Sequence, residues 1–325
     1  MESVESSLSI DSKRQSGYNM GVMEKKSEIA FFMTVLAGGL WGTSAIFVHY
    51  LSPFGFTPVQ MVAARGAVSF AGVFLYAIVK ERKLFRIRPI ELTIYLLIGG
   101  ALFFTAFCYY TSMTLTSVAT AAMLLGLSPV YVVLFSVVLW REKMSGLKTA
   151  AIIGVLAGGV FVSGVIEGMI FDTLGFFMGL ASGLSYAIYT LLTKYSMMRN
   201  FRAGSATLYG FFFMALIAVG ICHPAEALRI ASAAPFVTVP LLIGIGLVTY
   251  LIPYSLYTVS LKALSSGTVS ALGIVEPLSA TLFGTFLFGE KLTVWSAAGI
   301  VLILSSVVLL GKAAVNVGQS WKKQV

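Results

Sequence analysis

Charge is scarce in this chain. Of its 325 residues only 11% are Asp, Glu, Lys or Arg, against about 25% in a typical soluble domain. There are two histidines (His49 and His223), two aspartates (Asp11 and Asp172) and two cysteines (Cys108 and Cys222). Each shortage excludes a class. So little polar surface cannot cover a water-soluble enzyme. A disordered chain is excluded too, because it needs low hydrophobicity. The cysteines are far apart and form no CxxC, which argues against a disulfide framework. The two histidines are too few for a metal centre with the cysteines elsewhere. Neither aspartate lies in an apolar segment, which argues against an intramembrane aspartyl protease. No HExxH, GxSxG or P-loop occurs. The sequence therefore predicts no enzyme, no cofactor, no metal and no ATP-driven step. Residues 1–28 are polar and lack an apolar core, so no cleavable signal peptide is expected.

Hydrophobic residues are abundant, at 58%, with a mean hydropathy of +0.92. They fall in ten segments: 29–51, 58–79, 91–112, 118–139, 145–165, 174–196, 206–222, 237–259, 266–288 and 295–312. A membrane-spanning helix needs about 17–25 residues. Barrel strands would be shorter and alternate every second residue. The expected fold is an all-α membrane protein of ten transmembrane helices, with the lipid bilayer as its main partner. The net charge of +9 would suggest nucleic acid in a soluble protein. Here it reads as orientation. With the N-terminus in the cytoplasm, 19 of the 22 basic residues collect on that side, among them Lys80, Arg82, Lys83, Arg86, Arg88, Arg199, Arg202 and Lys262. No nucleic-acid partner is expected, and both termini should be cytoplasmic.

The chain repeats itself. Ala121–Lys143 aligns with Val269–Lys291 at a shift of 148, so Pro129 falls on Pro277, Glu142 on Glu290 and Tyr109 on Tyr257. Gly38-Gly39-Leu40-Trp41 aligns with Gly183-Leu184-Ser185-Tyr186 at a shift of 145. Five segments per copy is an odd number, so the second copy must enter the membrane inverted. Inverted repeats are typical of secondary transporters, whose site lies near the midplane between the halves. The expected organisation is a polar tail (1–28), a first repeat (29–165), an inverted second repeat (174–312) and a basic tail (313–325).

Trp41-Gly42, Arg65, Ser128-Pro129-Val130 ending in Arg141-Glu142-Lys143, and Glu276-Pro277-Leu278 ending in Gly289-Glu290-Lys291 together resemble the EamA family of the drug/metabolite transporter superfamily. The resemblance covers about residues 28–312. It implies ten helices in two inverted sets of five around a central cavity lined mainly by helices 1, 3, 4, 6, 8 and 9. It also implies transport of amino acids, metabolites or drug-like compounds, mostly outward. The halves have diverged: Tyr186 stands where a Trp is expected, and Gly210 aligns with Arg65.

Two charges lie well inside the apolar segments. Glu276 sits near the bilayer centre, where a carboxylate costs about 2.5–3.5 kcal/mol. It is a candidate for proton coupling or substrate binding, or else an acid that locks two helices together. Its repeat partner is Ser128, so only one half supplies the charge. Arg65 lies about 10 Å along the second segment, at about 1.5 Å per residue. It could attract an anion, pair with Glu276, or cap carbonyls of a neighbour. Pro129 and Pro277 each remove a helical hydrogen bond, which frees the carbonyls of residues 125 and 273 and suggests paired gating hinges. Trp41, Tyr109, Tyr110, Tyr186, Tyr189, Tyr254 and Tyr257, with Ser128, complete the candidate substrate-binding set. Polar-tipped aromatics suit an amphipathic solute, although core packing would explain them equally.

The reading is a secondary transporter in a bacterial inner (plasma) membrane, monomeric or homodimeric. It would move a small-molecule substrate by alternating access, with export favoured and protons as the candidate coupling ion. An importer or exchanger of the same fold, and a non-transporting scaffold or sensor, are the alternatives.

Overall fold

A computed structural model describes residues 27–140, 145–162, 172–264, 269, 272–273, 275–289 and 292–322. Among them every regular element is a helix. In chain order these are α1 (Ser27–Phe54), α2 (Pro58–Lys80), α3 (Pro89–Leu115), α4 (Val118–Leu125), α5 (Ser128–Trp140), α6 (Gly146–Val162), α7 (Thr173–Met198), α8 (Ala203–Ile221), α9 (Pro224–Ala233), α10 (Pro235–Ala263), α11 (Val275–Phe288) and α12 (Val294–Lys322).

Seven stretches are long and apolar enough to cross a membrane: α1, α2, α3, the run Val118–Phe135 through α4 into α5, α7, α8 and α10. Shorter apolar helices, Thr149–Gly158, Leu278–Phe288 and Val294–Ser306, occupy the places of the fifth, ninth and tenth expected segments. Large side chains such as Phe32, Leu75, Val138, Phe236 and Phe286 are exposed. A surface of that kind suits lipid rather than water. Residues 1–26 and 323–325 and the motifs at 141–143 and 290–291 lie outside the described residues, while most of the expected basic tail, through Lys322, continues the last helix.

Helix starts follow local chemistry. Thr57 accepts from the Gln60 backbone while the Gln60 side chain accepts from Thr57, a reciprocal cap just ahead of Pro58. Ser117 caps α4. Asp172 caps α7, accepting from the Gly175 amide at 2.6 Å. Prolines occupy the first turns of α2, α3, α9 and α10, where a missing N–H costs nothing.

Packing rests on small residues. α7 lies along α3 and α4, and its Gly175, Gly179 and Gly183 face Leu115, Thr116 and Leu124 so closely that a Cβ would sit within 2.9 Å of them. α6 packs against α12 the same way: a Cβ on Gly158 would meet the Gly299 carbonyl at 2.8 Å. Further contacts join α2 to α8 and α10, α3 to α8, α4 to α11, and α1 to α10 and α11. One large buried cluster runs through α1–α4, α7, α8 and α10.

Gly158 and Gly100 make a matched pair of tests. Gly158→Ala should destabilise the protein by roughly 1–3 kcal/mol through overpacking. Gly100, which has open space around it, should tolerate alanine or gain up to about 1 kcal/mol of helix propensity. Thermal unfolding in detergent checks both.

Candidate functional site

The site forms where four helical stretches, in α1, α4–α5, α10 and α11, lose regularity. α1 steps at Thr43, whose amide and hydroxyl both turn back to the Leu40 carbonyl at 3.2 and 2.6 Å. α4 ends at Leu125, and the chain turns through Gly126 and Leu127 before α5 begins at Ser128. α11 opens at Val275 after a turn in which the Glu276 amide donates to the Gly273 carbonyl at 3.0 Å. α10 widens into a π-turn at Leu247–Leu251, with the Ile252 amide donating five residues back to Leu247.

The π-turn serves Arg65. Pro253 has no N–H to offer the Thr249 carbonyl four residues before it, and Arg65 Nη2 takes that carbonyl at 3.2 Å. Nη1 donates to the Tyr110 hydroxyl. The guanidinium also lies over the Tyr250 ring at 4.0 Å and the Tyr110 ring at 5.0 Å. α10 can approach this closely because Gly246 lacks a side chain: a Cβ there would meet Val68 at 2.5 Å and the Arg65 carbonyl at 3.2 Å. Ser69 adds a bond from its hydroxyl to the Gly246 carbonyl at 2.8 Å. Arg65 is 3% exposed. Hydrogen bonds to a charged group are worth about 1.5–3 kcal/mol each and cation–π contacts about 0.5–2 kcal/mol. Together these exceed the insertion cost of about 2.5–3.5 kcal/mol.

Glu276 is 7% exposed, on the first turn of α11. Gly42 brings α1 against it, since a Cβ there would lie 2.4 Å from the Ser279 Cβ and 3.1 Å from the Glu276 carbonyl. The Trp41-Gly42 pair is thus a ring beside a gap into which α11 fits. No ion pair within 4.0 Å joins Glu276 to Arg65 among the described residues.

Both charges face one narrow cavity of about 10 Å³, room for a water molecule, with Trp41, Tyr109, Tyr186 and Tyr254 among its walls. Trp41 packs on Tyr254 at 4.8 Å, Tyr257 at 5.2 Å and Tyr186 at 5.8 Å. Behind them the Thr190 and Tyr257 hydroxyls are hydrogen-bonded at 3.0 Å, and those of Tyr189 and Thr258 at 3.3 Å. Trp41 Nε1 and Arg65 Nε are buried donors with no acceptor among the described residues.

Of the residues expected from sequence, Trp41, Arg65, Tyr109, Tyr186, Tyr254 and Glu276 wall this cavity. Tyr110 stands behind Arg65, and Tyr257 behind Trp41. Tyr189 walls a neighbouring narrow cavity. Ser128 is buried, but the cavity does not include it among its walls. Pro129 stands in the first turn of α5 and Pro277 in that of α11, so the chain breaks ahead of each rather than bending at it. Ser44, Thr105 and Leu125 also wall the cavity. Sequence reasoning missed them because small polar and apolar residues carry no distinctive pattern. It also missed the Thr249 carbonyl, although Pro253 marked that position.

A model of the EamA-like transporter family matches residues 28–164 and again 173–312. The chain belongs to this family and is a multi-pass membrane transporter. It is 30% identical over 216 residues to an uncharacterized transporter of Archaeoglobus fulgidus, covering 64% of this chain and 72% of that one. It is 23% identical over 296 residues to the uncharacterized transporter YwfM of Bacillus subtilis, covering 89% and 95%. In fold it is similar to a solved crystal structure with 17% identity, at a TM-score of 0.58 over 89% of this chain and 98% of the other.

Arg65→Met should destabilise the protein by about 1–3 kcal/mol or more, because it leaves the Thr249 carbonyl and Tyr110 hydroxyl buried without their donor. Arg65→Lys should recover only part of this, since an ammonium cannot fork between both acceptors and stack on two rings. Thermal unfolding of the three proteins measures the order.

Proposed function

We propose that the chain is a secondary transporter of small zwitterionic solutes, amino acids or close relatives, with the cavity between Arg65 and Glu276 as its substrate site. One observation carries this: a buried cation and a buried carboxylate face the same aromatic-walled space without bonding to each other. A solute with a carboxylate and an amine would complete both. Its carboxylate would meet Arg65 and Trp41 Nε1, both of which have donors to spare. Its amine would meet Glu276, and its side chain the rings.

Two inverted repeats, 29–165 and 174–312, making ten spans in all, are part of this reading, and the packing supports them. Exchanging each expected segment for the one five places along leaves the main helix pairings unchanged. The pairing of α3 with α7 becomes that of α10 with α1, and α4 with α7 becomes α11 with α1. α2 with α8, α4 with α11 and α6 with α12 map onto themselves. Trp41 and its aligned partner Tyr186 touch at the centre. The cavity as it stands is too tight for an amino acid, which fits an occluded state. Opening would use the breaks ahead of Pro129 and Pro277 as hinges, so that the halves give access to one side at a time. Glu276, costly as a free carboxylate, would exchange a proton for the substrate amine, coupling export to proton entry. The basic loops support cytoplasmic termini in a bacterial inner membrane.

The test is flux of radiolabelled amino acids in liposomes carrying the purified protein, with and without a pH gradient. Wild type should transport. Glu276→Gln should lower substrate affinity by about tenfold or more, as expected for the loss of a charged hydrogen-bond partner, and should abolish the response to the pH gradient. Unchanged pH dependence in Glu276→Gln would remove proton coupling from the reading. Absence of flux for every solute in wild type would remove transport of this substrate class.

A further inference from the structure

A much wider space than the central cavity lies elsewhere in the bundle. About 600 Å³ of space lies between α2, α8 and α10, on the half of the molecule that holds Lys80, Arg202 and Lys262. α2 and α10 touch where a Cβ on Gly246 would meet Val68, and where Gly72 faces Leu251, with Leu251 Cδ2 at 2.5 Å from a built Cβ. Beyond that contact the stretch of α10 after Pro253 packs on α7 and α8, and a wedge is left between it and α2. Gly72, Gly204 and Ser255 stand in its walls.

The wedge is one of three cavities in a row. Its walls include Thr207 and Thr258, which are also walls of a second, narrow cavity bounded by Tyr189, Phe211 and Tyr254. Tyr254 is in turn a wall of the central cavity beside Arg65 and Glu276. What separates the wide space from the central site is a partition of side chains from α7, α8 and α10, and its visible fastening is the Tyr189–Thr258 hydroxyl contact at 3.3 Å. Side chains can move aside where backbone cannot. The mouth carries Glu81, Arg202 and Lys262, which match the two ends of a zwitterion. Beside it, exposed Tyr76 and Val259 give the apolar flank of an interfacial opening.

We infer that this wedge is the loading vestibule of the transporter. A zwitterionic solute is first held at Glu81, Arg202 and Lys262, then passes the Tyr189–Tyr254 partition to the central site. The route lies between α2, α8 and α10, on the side of the basic loops. This rests on the transport reading above and adds the path.

The experiment uses Ser255→Cys, a small change on the vestibule wall, in the full chain reconstituted in liposomes. A bulky maleimide added after folding fills the space. The natural cysteines, Cys108 and Cys222, are buried, and wild type treated identically is the control. Three readouts are taken: intact mass for modification, flux of a radiolabelled amino-acid mixture, and equilibrium binding of that mixture in detergent. The expected result is complete modification and flux reduced at least about tenfold, a rate penalty of about 1.4 kcal/mol or more, with binding retained when substrate is added before the maleimide. Leu75→Cys, on the exposed face of α2, should be modified with flux unchanged. Full flux through modified Ser255→Cys would overturn the vestibule and leave the transport reading intact. So would failure of the maleimide to react at Ser255→Cys. Absence of flux in untreated wild type would overturn both.

Discussion

The structure depends on how Arg65 is kept inside the bundle. A guanidinium cannot lose its charge there, so it must be surrounded by acceptors and ring faces. α10 supplies them by giving up helical regularity. Pro253 frees a carbonyl, the π-turn aims it, Tyr250 presents a ring face, and Gly246 lets the backbone come near enough for all three to act. The stretch of α10 beyond Pro253 packs on α7 and α8 instead of α2, and the wide cavity lies between it and α2.

Around that anchor, polar capacity is left unspent on the cavity walls. Arg65 and Trp41 each keep a buried donor without an acceptor among the described residues. A protein whose only task was to be stable would gain by pairing them. A transporter gains by leaving them to a passing solute, because a site that satisfies itself has nothing to offer. Close packing of the rings then has a second role. Four aromatic walls are separated by a water-sized gap, so in the proposed reading the closed site would exclude bulk water and a solute inside would meet strong electrostatics.

Much of this was legible in the sequence, and for identifiable reasons. Hydrophobic runs of membrane length fix where helices lie, and a charge inside such a run stands out against its surroundings, so Arg65 and Glu276 were found without coordinates. Gly42 and Gly183 were marked by motif and by the repeat, and their close contacts follow from having no side chain. What could not be read was how irregular backbone in separate spans converges. Pro129 and Pro277 looked like kinks within helices, whereas each stands just after a break. Proline tolerates the first helical turn better than the interior, so the chain interrupts the helix instead of bending it. The π-turn has no sequence signature beyond Pro253. Ser44, Thr105 and Leu125 reach the site through tertiary position alone.

In the proposed inverted-repeat reading, the two halves would share a framework and divide the chemistry. Arg65 aligns with Gly210, and Glu276 with Ser128, so the first half gives the cation and the second the anion. Where the halves must match, they do: Trp41 meets Tyr186 at the centre, and the glycine contact of α1 with α11 at Gly38 has its equivalent in α7 with α4 at Gly183. Symmetric packing lets the bundle adopt two related arrangements of similar energy, which exchange between sides requires. In the reading proposed above, asymmetric charge would orient the solute, because a zwitterion could lie only one way between Arg65 and Glu276. An inverted repeat with identical charges in both halves would place like charges together at its axis, where each would raise the cost of burying the other. Divergence at these two positions removes that repulsion and leaves a site with a direction.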